Sequence, residues 1–269
     1  MEDIFDQQDV RDALATYVGE DEVISSLDML ENIANLPPVN PMHCGMNTVD
    51  EWCEGFVDGE LILLGGKPKS GKSLLQRTFI SNFCKQGTAP IVFTFEEQPR
   101  QFLKNFDNGA EDIMFYMPKK LTPGNVDWVL EKMMESKLKK GTKIAFIDHG
   151  QYLYEMSDDV GTKEISGVGR KLKTFAVNND YIIFVIWHIT KERVDSIDDL
   201  DQSSLRDSGM LAGECDMIFF TFRGVKSSGV SQIEESFLKI EVTRRSGAWK
   251  RVIPIRKHGG RFVETGIDF

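Results

Sequence analysis

The fold of this chain is decided by one short stretch, Leu61-Ile62-Leu63-Leu64-Gly65-Gly66-Lys67-Pro68-Lys69-Ser70-Gly71-Lys72-Ser73. An apolar run of strand length opens it, a Gly-rich turn follows, and Ser73–Lys85 continues at helical spacing. The turn matches the pattern G-x-x-x-x-G-K-[ST] in full. In such a loop, backbone N–H groups surround a phosphate and the next helix points its positive end at the same anion. The stretch therefore predicts a strand, a phosphate-binding loop and a helix.

Every residue of this turn is expected to contact a nucleotide: Gly66, Lys67, Pro68, Lys69, Ser70, Gly71, Lys72 and Ser73. The glycines allow the tight turn and the close approach of the backbone to phosphate. Lys72 would place its charge on the β- and γ-phosphates, and the Ser73 hydroxyl would be a ligand of Mg²⁺. The sequence thus predicts ATP and Mg²⁺ as cofactors.

Strands and helices alternate from about residue 45 onward. Helical spacing recurs in Val126–Lys139 and Glu164–Asn179, and strand-length apolar runs occur at Ile91–Phe95, Ile144–Ile147, Tyr181–Trp187 and Met217–Phe222, before a closing pair at Phe237–Val242 and Arg251–Ile255. Continuous apolar runs are typical of strands that are buried on both faces. We therefore predict an α/β fold in which helices flank a mainly parallel, twisted sheet.

Polar side chains end three of these apolar runs. Asp148 follows Ile144–Ile147 and is expected to hold the hydration shell of Mg²⁺. Glu96 follows the strand after the loop helix and could activate the attacking water, with its neighbour Glu97 as the alternative. His188 ends the next run and could contact the γ-phosphate, or could be a boundary histidine without a catalytic role. His149, directly after Asp148, is left without an assigned role.

Charge separates the chain into two parts. Residues 1–36 contain ten acidic residues and one basic residue, whereas the net charge of the whole chain is -10. Apolar residues recur there at helical spacing (Val23, Ile24, Leu27, Leu30 and Ile33), and Pro37, Pro38 and Pro41 follow. We predict an acidic helical arm with a Pro-rich linker over residues 1–41 and one large domain over 42–269. The arm either packs on its own domain or docks on a neighbouring subunit.

Several classes of protein are disfavoured by the composition. No apolar stretch reaches the roughly 20 residues of a membrane span, and the acidic N-terminus is unlike a secretory signal. The four cysteines are scattered and form no CxxC pair, which fits a reducing compartment such as the cytoplasm. The global charge does not decide whether the protein binds DNA, because Lys239–Arg261 carries eight basic residues and one acidic residue.

From about Cys44 to its end, the chain resembles the RecA-like motor domain of DnaB-type hexameric replicative helicases, including phage-type members. The resemblance rests on ordered motifs: Gly59-Glu60-Leu61 before the loop, Phe93-Thr94-Phe95-Glu96, Ile147-Asp148-His149-Gly150-Gln151, Leu205-Arg206-Asp207-Ser208-Gly209 and Arg245-Ser246-Gly247. His188 stands where many members have a glutamine, as in the phage-type branch. Thr243 replaces the family's lysine, and Arg244 follows it.

The resemblance implies a homo-oligomer, a six-membered ring, with ATP between neighbours and Arg245 reaching the γ-phosphate of the adjacent subunit. It implies that Arg206, Asp207 and Gly209 face a central channel and hold single-stranded DNA by its backbone. It also implies a place at the replication fork in a bacterial or phage-infected cell, with a primase or helicase loader as partner. The resemblance implies the same roles that positions at strand ends suggest for Asp148, Glu96 and His188.

Two other functions remain open. A RecA-like recombinase or KaiC-like ATPase would share the loop, Glu96 and Asp148 but would not unwind DNA. An assembly factor would use the nucleotide only to build a ring, although an intact Glu96 disfavours it. The Leu205–Gly209 and Arg245–Gly247 segments favour an ATP-hydrolysing DNA helicase or translocase.

Overall fold

The computed structural model describes residues 11–12, 15–19, 22–36, 38–106, 113–154, 162–189, 194–228 and 231–265. Within these ranges, residues 162–163, 206–210, 225–228 and 231–233 are described by their backbone alone. Contacts divide the chain into two units, Met1–Asn40 and Pro41–Phe269.

The first unit contains helix α1 (Ser26–Ala34). Ser25 begins it with a capping box, in which its Oγ accepts a hydrogen bond from Asp28 N and Asp28 accepts one from Ser25 N. Leu27, Leu30 and Ile33 lie in this helix and are exposed, and the helix contains no buried residue. Leu27, Leu30 and Ile33 of the predicted pattern therefore form an apolar stripe on an exposed helix, whereas Val23 and Ile24 precede that helix.

The second unit contains one eight-stranded sheet. Its strands are β1 (Leu61–Gly66), β2 (Ile91–Thr94), β3 (Ile144–Asp148), β4 (Ile182–His188), β5 (Met217–Ser228), β6 (Ser231–Thr243), β7 (Trp249–His258) and β8 (Arg261–Glu264). The strand order is β2-β3-β4-β1-β5-β6-β7-β8. The first five strands in this order pair in parallel, and β5 to β8 pair antiparallel. The prediction of an α/β fold with a mainly parallel sheet is confirmed.

Helices connect these strands. They are α2 (Asn47–Cys53), α3 (Lys72–Lys85), α4 (Pro99–Lys104), α5 (Val126–Lys140), α6 (Thr162–Asn178) and α7 (Gly209–Glu214), with short 3-10 helices at Gly150–Leu153, Ile197–Asp199 and Gln202–Ser208. None of the helices in the described ranges is long and apolar enough to cross a membrane.

Two hydrophobic cores lie on opposite faces of the sheet. Residues of α5 and α6 pack in one core with Leu61 and Leu63 of β1. Residues of α2, α3 and α4 pack in the other with Ile62 and Leu64, the alternate positions of the same strand. Burial on both faces explains why the parallel strands read as continuous apolar runs.

The parallel pairing brings the C-terminal ends of four strands to one edge of the sheet. Gly66 of β1 pairs with His188 of β4, and β3 lies between β4 and β2. Thr94, the last residue of β2, pairs with Asp148. Ligands of open α/β sheets bind outside this edge, so the polar residues that end these strands define the candidate site.

Candidate functional site

The loop between β1 and α3 has the shape that its glycines require. Gly66 and Gly71 adopt φ values of +154° and +106°. A Cβ atom on Gly71 would lie 2.6 Å from the Phe262 ring, and one on Gly66 would lie 2.5 Å from Ser70 Oγ. The Ser70 hydroxyl also shares a 2.7 Å hydrogen bond with the hydroxyl of Thr221 on β5. Side chains of β5 and β8 therefore contact the loop and restrict its conformation.

Lys72 places a buried ammonium against the inside of this loop. Its Nζ donates hydrogen bonds to the carbonyl oxygens of Gly66 and Lys67, at 2.9 and 2.8 Å. Burial lowers the pKa of Lys72 to about 8, and the negative charges of Asp148 and Glu96 oppose that shift. An ammonium has three N–H donors, so one donor remains for a phosphate oxygen beyond the two loop carbonyls.

Asp148 lies at the end of β3 with a carboxylate that is 2% exposed. Its main-chain oxygen accepts a 2.6 Å hydrogen bond from Phe95 N, which holds the ends of β2 and β3 together. Its side-chain Oδ1 is buried and has no hydrogen-bond partner among the described residues. A buried carboxylate oxygen with a free lone pair beside a phosphate-binding loop suits the hydration shell of Mg²⁺, so these residues fit that ion.

Glu96 and Glu97 have different surroundings. The Glu97 carboxylate accepts a 2.6 Å hydrogen bond from Asn105 Nδ2 and lies 4.0 Å from Nη1 of Arg77. Burial raises the pKa of Glu97, while the charge of Arg77 opposes that shift. Glu96 instead lies 3.4 Å from Nδ1 of His149 and acts electrostatically on Lys72. This arrangement supports Glu96, rather than Glu97, as the carboxylate of the site.

His188 joins the same edge at the end of β4. Burial lowers its pKa to about 3, and the positive charge of Lys72 adds to this effect. Its imidazole is therefore neutral at pH 7, when it can donate one hydrogen bond and accept another. Such a group can contact a phosphate without adding a positive charge.

His149 is one of two residues at the site to which the sequence pattern assigned no role. It is 5% exposed, and its ring centroid lies 3.7 Å from that of His188 at an angle of 82°. Its Nδ1 lies 3.8 Å from Asp148 Oδ1 as well as 3.4 Å from Glu96. Its position directly after a strand-ending aspartate was the available signal, but a histidine there reads equally well as part of a turn.

Arg77 was also missed. It lies on α3, five residues after Lys72, and its charge acts on both Glu97 and Asp148. Burial lowers the pKa of its guanidinium. Nothing in the helical pattern of α3 distinguishes it from a solvent-facing arginine.

Arg245 contacts its own chain at a distance from the strand ends of the site. Its Nη2 donates hydrogen bonds to the carbonyl oxygens of Cys53 and Gly55, at 2.9 and 2.7 Å. Its Nε donates to Glu60 at 3.1 Å, and its Nη1 forms an ion pair with Glu54 at 3.3 Å. In this conformation the guanidinium donates hydrogen bonds to carbonyl groups at the C-terminal end of helix α2 and stabilises the turn that follows this helix.

The predicted DNA-binding residues are placed by their backbone. Arg206 and Asp207 lie in the 3-10 helix Gln202–Ser208, and Gly209 begins α7. Their side chains lie outside the described part of the structure.

A cavity of about 300 Å³ between the phosphate-binding loop and β5 is lined by residues that include Lys67, Val194, Leu200 and Arg223.

Sequence comparisons find similarity to known ATPases and helicases. The family model "ATPase: KaiC" matches residues 42–122. The replicative DNA helicase DnaB of Helicobacter pylori (strain J99) is 24% identical over 83% of this chain and 53% of the helicase. The chain therefore spans about half of the length of that relative.

Solved structures show the same fold. A separately solved ATPase domain superposes with a TM-score of 0.70 and 18% identity, covering 89% of this chain and 97% of that domain. A DnaB-like replicative helicase, solved in a study of its interactions with primase, superposes with a TM-score of 0.69 and 19% identity, covering 96% of this chain and 70% of the helicase. The chain therefore shares the fold of this ATPase domain and of this helicase.

Proposed function

We propose that this chain is the motor of a DnaB-type DNA helicase or translocase, which hydrolyses ATP and moves along single-stranded DNA during replication. One observation carries the proposal most directly. The buried Lys72 ammonium, an Asp148 carboxylate oxygen without a hydrogen-bond partner in the described residues, Glu96 and a neutral His188 converge at the same edge of the sheet. This set supplies a phosphate cradle, a metal-facing carboxylate, a general base and a γ-phosphate contact.

The residues divide the work of phosphoryl transfer between them. The backbone of Gly66–Ser73 binds the phosphates, and Lys72 neutralises charge on the β- and γ-phosphates. Ser73 and Asp148 would hold Mg²⁺, which when bound supplies further charge neutralisation on the phosphate oxygens. Glu96 orients and deprotonates the attacking water, and His188 donates a hydrogen bond to the γ-phosphate.

Assembly into a ring is the second part of the proposal. Arg245 of one subunit would complete the site of its neighbour, and the exposed apolar stripe of α1 would dock on an adjacent copy. Arg206, Asp207 and Gly209 would then hold the DNA backbone in the channel. A primase or a loader is proposed as a partner, in the cytoplasm at the replication fork.

A RecA- or KaiC-like ATPase is the second candidate, because the KaiC family model matches residues 42–122 and so includes the phosphate-binding loop. Two assays on the full chain separate the candidates. Strand displacement on a forked substrate with ATP, together with closed rings in negative-stain microscopy, would support the helicase. Strand exchange between homologous DNAs, with helical filaments on single-stranded DNA, would contradict it.

A further inference from the structure

A cluster of three possible metal ligands lies at the ends of β2, β3 and β4. Glu96, His149 and His188 each offer one donor atom, and these three atoms lie within 4.8 Å of one another. His149 is buried, His188 is partly buried and the Glu96 side chain is about half exposed. The cluster therefore packs against the protein interior on one side and is exposed to solvent on the other.

The distance between Glu96 and His149 suits two ligands of one metal ion better than a hydrogen bond. Nδ1 of His149 lies 3.4 Å from Oε2 of Glu96, yet this buried nitrogen has no hydrogen-bond partner in the described part of the chain. A buried polar atom without a partner destabilises the folded state and calls for an explanation. Two ligands of a tetrahedral zinc ion, each bonded at about 2.0–2.1 Å, lie about 3.4 Å apart.

The chemistry of the donors selects the class of ion. Mg²⁺ prefers oxygen ligands and keeps much of its water, whereas imidazole nitrogen suits Zn²⁺ and its neighbours among the transition metals. Two imidazoles and one carboxylate leave a fourth position for water, as in open zinc sites. The three carboxylates Glu96, Glu97 and Asp148 outweigh the two positive charges of Lys72 and Arg77, so the local charge also attracts a cation.

We propose that Glu96, His149 and His188 form a binding site for a borderline-soft divalent ion of the Zn²⁺ type, separate from the Mg²⁺ position at Ser73 and Asp148. The effect of such an ion on ATP hydrolysis rests on the proposed function. An ion at this site takes the Glu96 carboxylate as a ligand, and the carboxylate is then lost as the base for water. Zn²⁺ should therefore inhibit ATP hydrolysis through these three residues.

Calorimetric titration of Zn²⁺ alone into the chelator-treated full chain, without nucleotide, tests the site itself. Cys84→Ser should serve as the background, because Cys84 is only half-buried while the other three cysteines are buried. We expect one strong site per chain, which excess Mg²⁺ does not displace. His149→Gln and His188→Gln should each weaken Zn²⁺ binding at least about tenfold, since even indirect partners of a metal contribute that much.

Matched variants keep this test decisive. His258→Gln changes an exposed histidine at the turn between β7 and β8 and should bind Zn²⁺ as the background does. Glu96→Gln removes a ligand from a half-exposed side chain, so its weaker binding would not reflect a failure to fold. The site is refuted if the background binds no Zn²⁺, if the ligand variants retain its affinity, or if His258→Gln loses as much as they do.

Inhibition of ATP hydrolysis by Zn²⁺ is measured in an experiment separate from the binding titration. Zn²⁺ should lower the ATPase rate of the background protein at excess Mg²⁺, and His149→Gln should need at least about tenfold more Zn²⁺ for the same fractional loss. Equal sensitivity of the two proteins would contradict inhibition through this site. A chain that binds Zn²⁺ as expected but hydrolyses no ATP would refute the proposed function and leave the metal site supported.

Discussion

Oε1 of Glu60 accepts a 3.1 Å hydrogen bond from Nε of Arg245, a residue that lies 185 positions later in the chain. Glu60 is 5% exposed, and burial raises its pKa while Arg245 opposes that shift. Arg245 thus stabilises a buried carboxylate and the end of α2 in its own subunit. To reach the γ-phosphate of a neighbour, its guanidinium has to leave these partners, so ring assembly and this contact are coupled in the proposed motor.

We expect Arg245→Ala subunits to bind ATP normally and to lose hydrolysis by a factor on the order of 10³. Mixing them with Lys72→Ala subunits should restore part of the activity, because an intact loop then meets an intact arginine across some interfaces. ATPase assays on the separate and mixed proteins check this. A mixture that stays inactive although mixed oligomers form would show that Arg245 acts within its own subunit.

The same substitution needs a stability control, since it leaves Glu60 buried without its arginine. The loss in free energy of unfolding should be about 1–3 kcal/mol, and Glu60→Gln in the same chain should recover part of it. Arg244→Ala is the matched control, because Arg244 makes a hydrogen bond to Gly213 O and none to Glu60. It should cost less activity unless Arg244 takes the place of the lysine that Thr243 replaces.

Glu96→Gln should leave nucleotide binding nearly intact and stop turnover, because the amide cannot accept the proton of the attacking water. Glu97→Gln is the neighbouring control, and it should retain most activity since Glu97 is engaged with Arg77 and Asn105. Equilibrium ATP binding and steady-state hydrolysis are the two measurements. The assignment is off by one residue if the two variants exchange these behaviours.

His188 should make the protein less stable in acid. Its pKa is about 3 in the folded chain, against 6.5 for an unperturbed histidine, so the unfolded chain binds more protons between these values. The neutral imidazole of His188 therefore stabilises the folded chain fully above pH 6.5, and this stabilisation is lost as the pH falls toward the pKa of the folded chain. The free energy of unfolding should therefore fall between pH 7 and pH 5, by at most about 2 kcal/mol because solvent screens the partly exposed imidazole.

Urea unfolding of the wild-type chain and His188→Gln at both pH values, with EDTA present, checks this sign and size. Glutamine does not titrate, so that variant should lose less stability than the wild type on acidification. His258→Gln, which changes an exposed histidine, should follow the wild type. The same acid sensitivity in all three proteins would show that His188 is not held neutral.

Deletion of residues 1–36 should lower the oligomer fraction in sedimentation and leave a folded monomer. The reason is the exposed apolar stripe of α1, which can be buried against another copy. Replacing Leu27 and Leu30 by serine in the full chain is a milder variant that retains the acidic charge. An unchanged distribution of oligomers in both would show that the segment is not needed for assembly.

The sheet and the loop were predictable because their signals are local. Strand-length apolar runs, a Gly-rich turn and helical spacing each occupy one short window of sequence, and the corresponding elements are present. Strand β8 and the far ends of β5 and β6 were not predicted. The far ends of β5 and β6 are mostly polar, and β8 is only four residues long. Pairing with neighbouring strands, rather than an apolar pattern, makes these segments strands.

The site was predictable only in part for a related reason. Asp148, Glu96 and His188 each end an apolar strand, so their common edge follows from parallel pairing. The position of His149 against both Glu96 and His188 depends on how the chain turns after β3, which no local window encodes. The contacts of Arg245 with Cys53–Gly55 and Glu60 likewise join segments that are nearly two hundred residues apart.

The central claim is that Lys72 and its neighbours form the site of a DNA-driven ATPase, and one measurement tests it most directly. ATP hydrolysis by the full chain with Mg²⁺ should be measured alone, with single-stranded DNA and with duplex DNA, beside Lys72→Ala. We expect a basal rate that single-stranded DNA raises more than duplex DNA does, and no turnover in Lys72→Ala under any condition. A wild-type chain that hydrolyses no ATP even with single-stranded DNA, or a Lys72→Ala chain that matches its rate, would contradict the account.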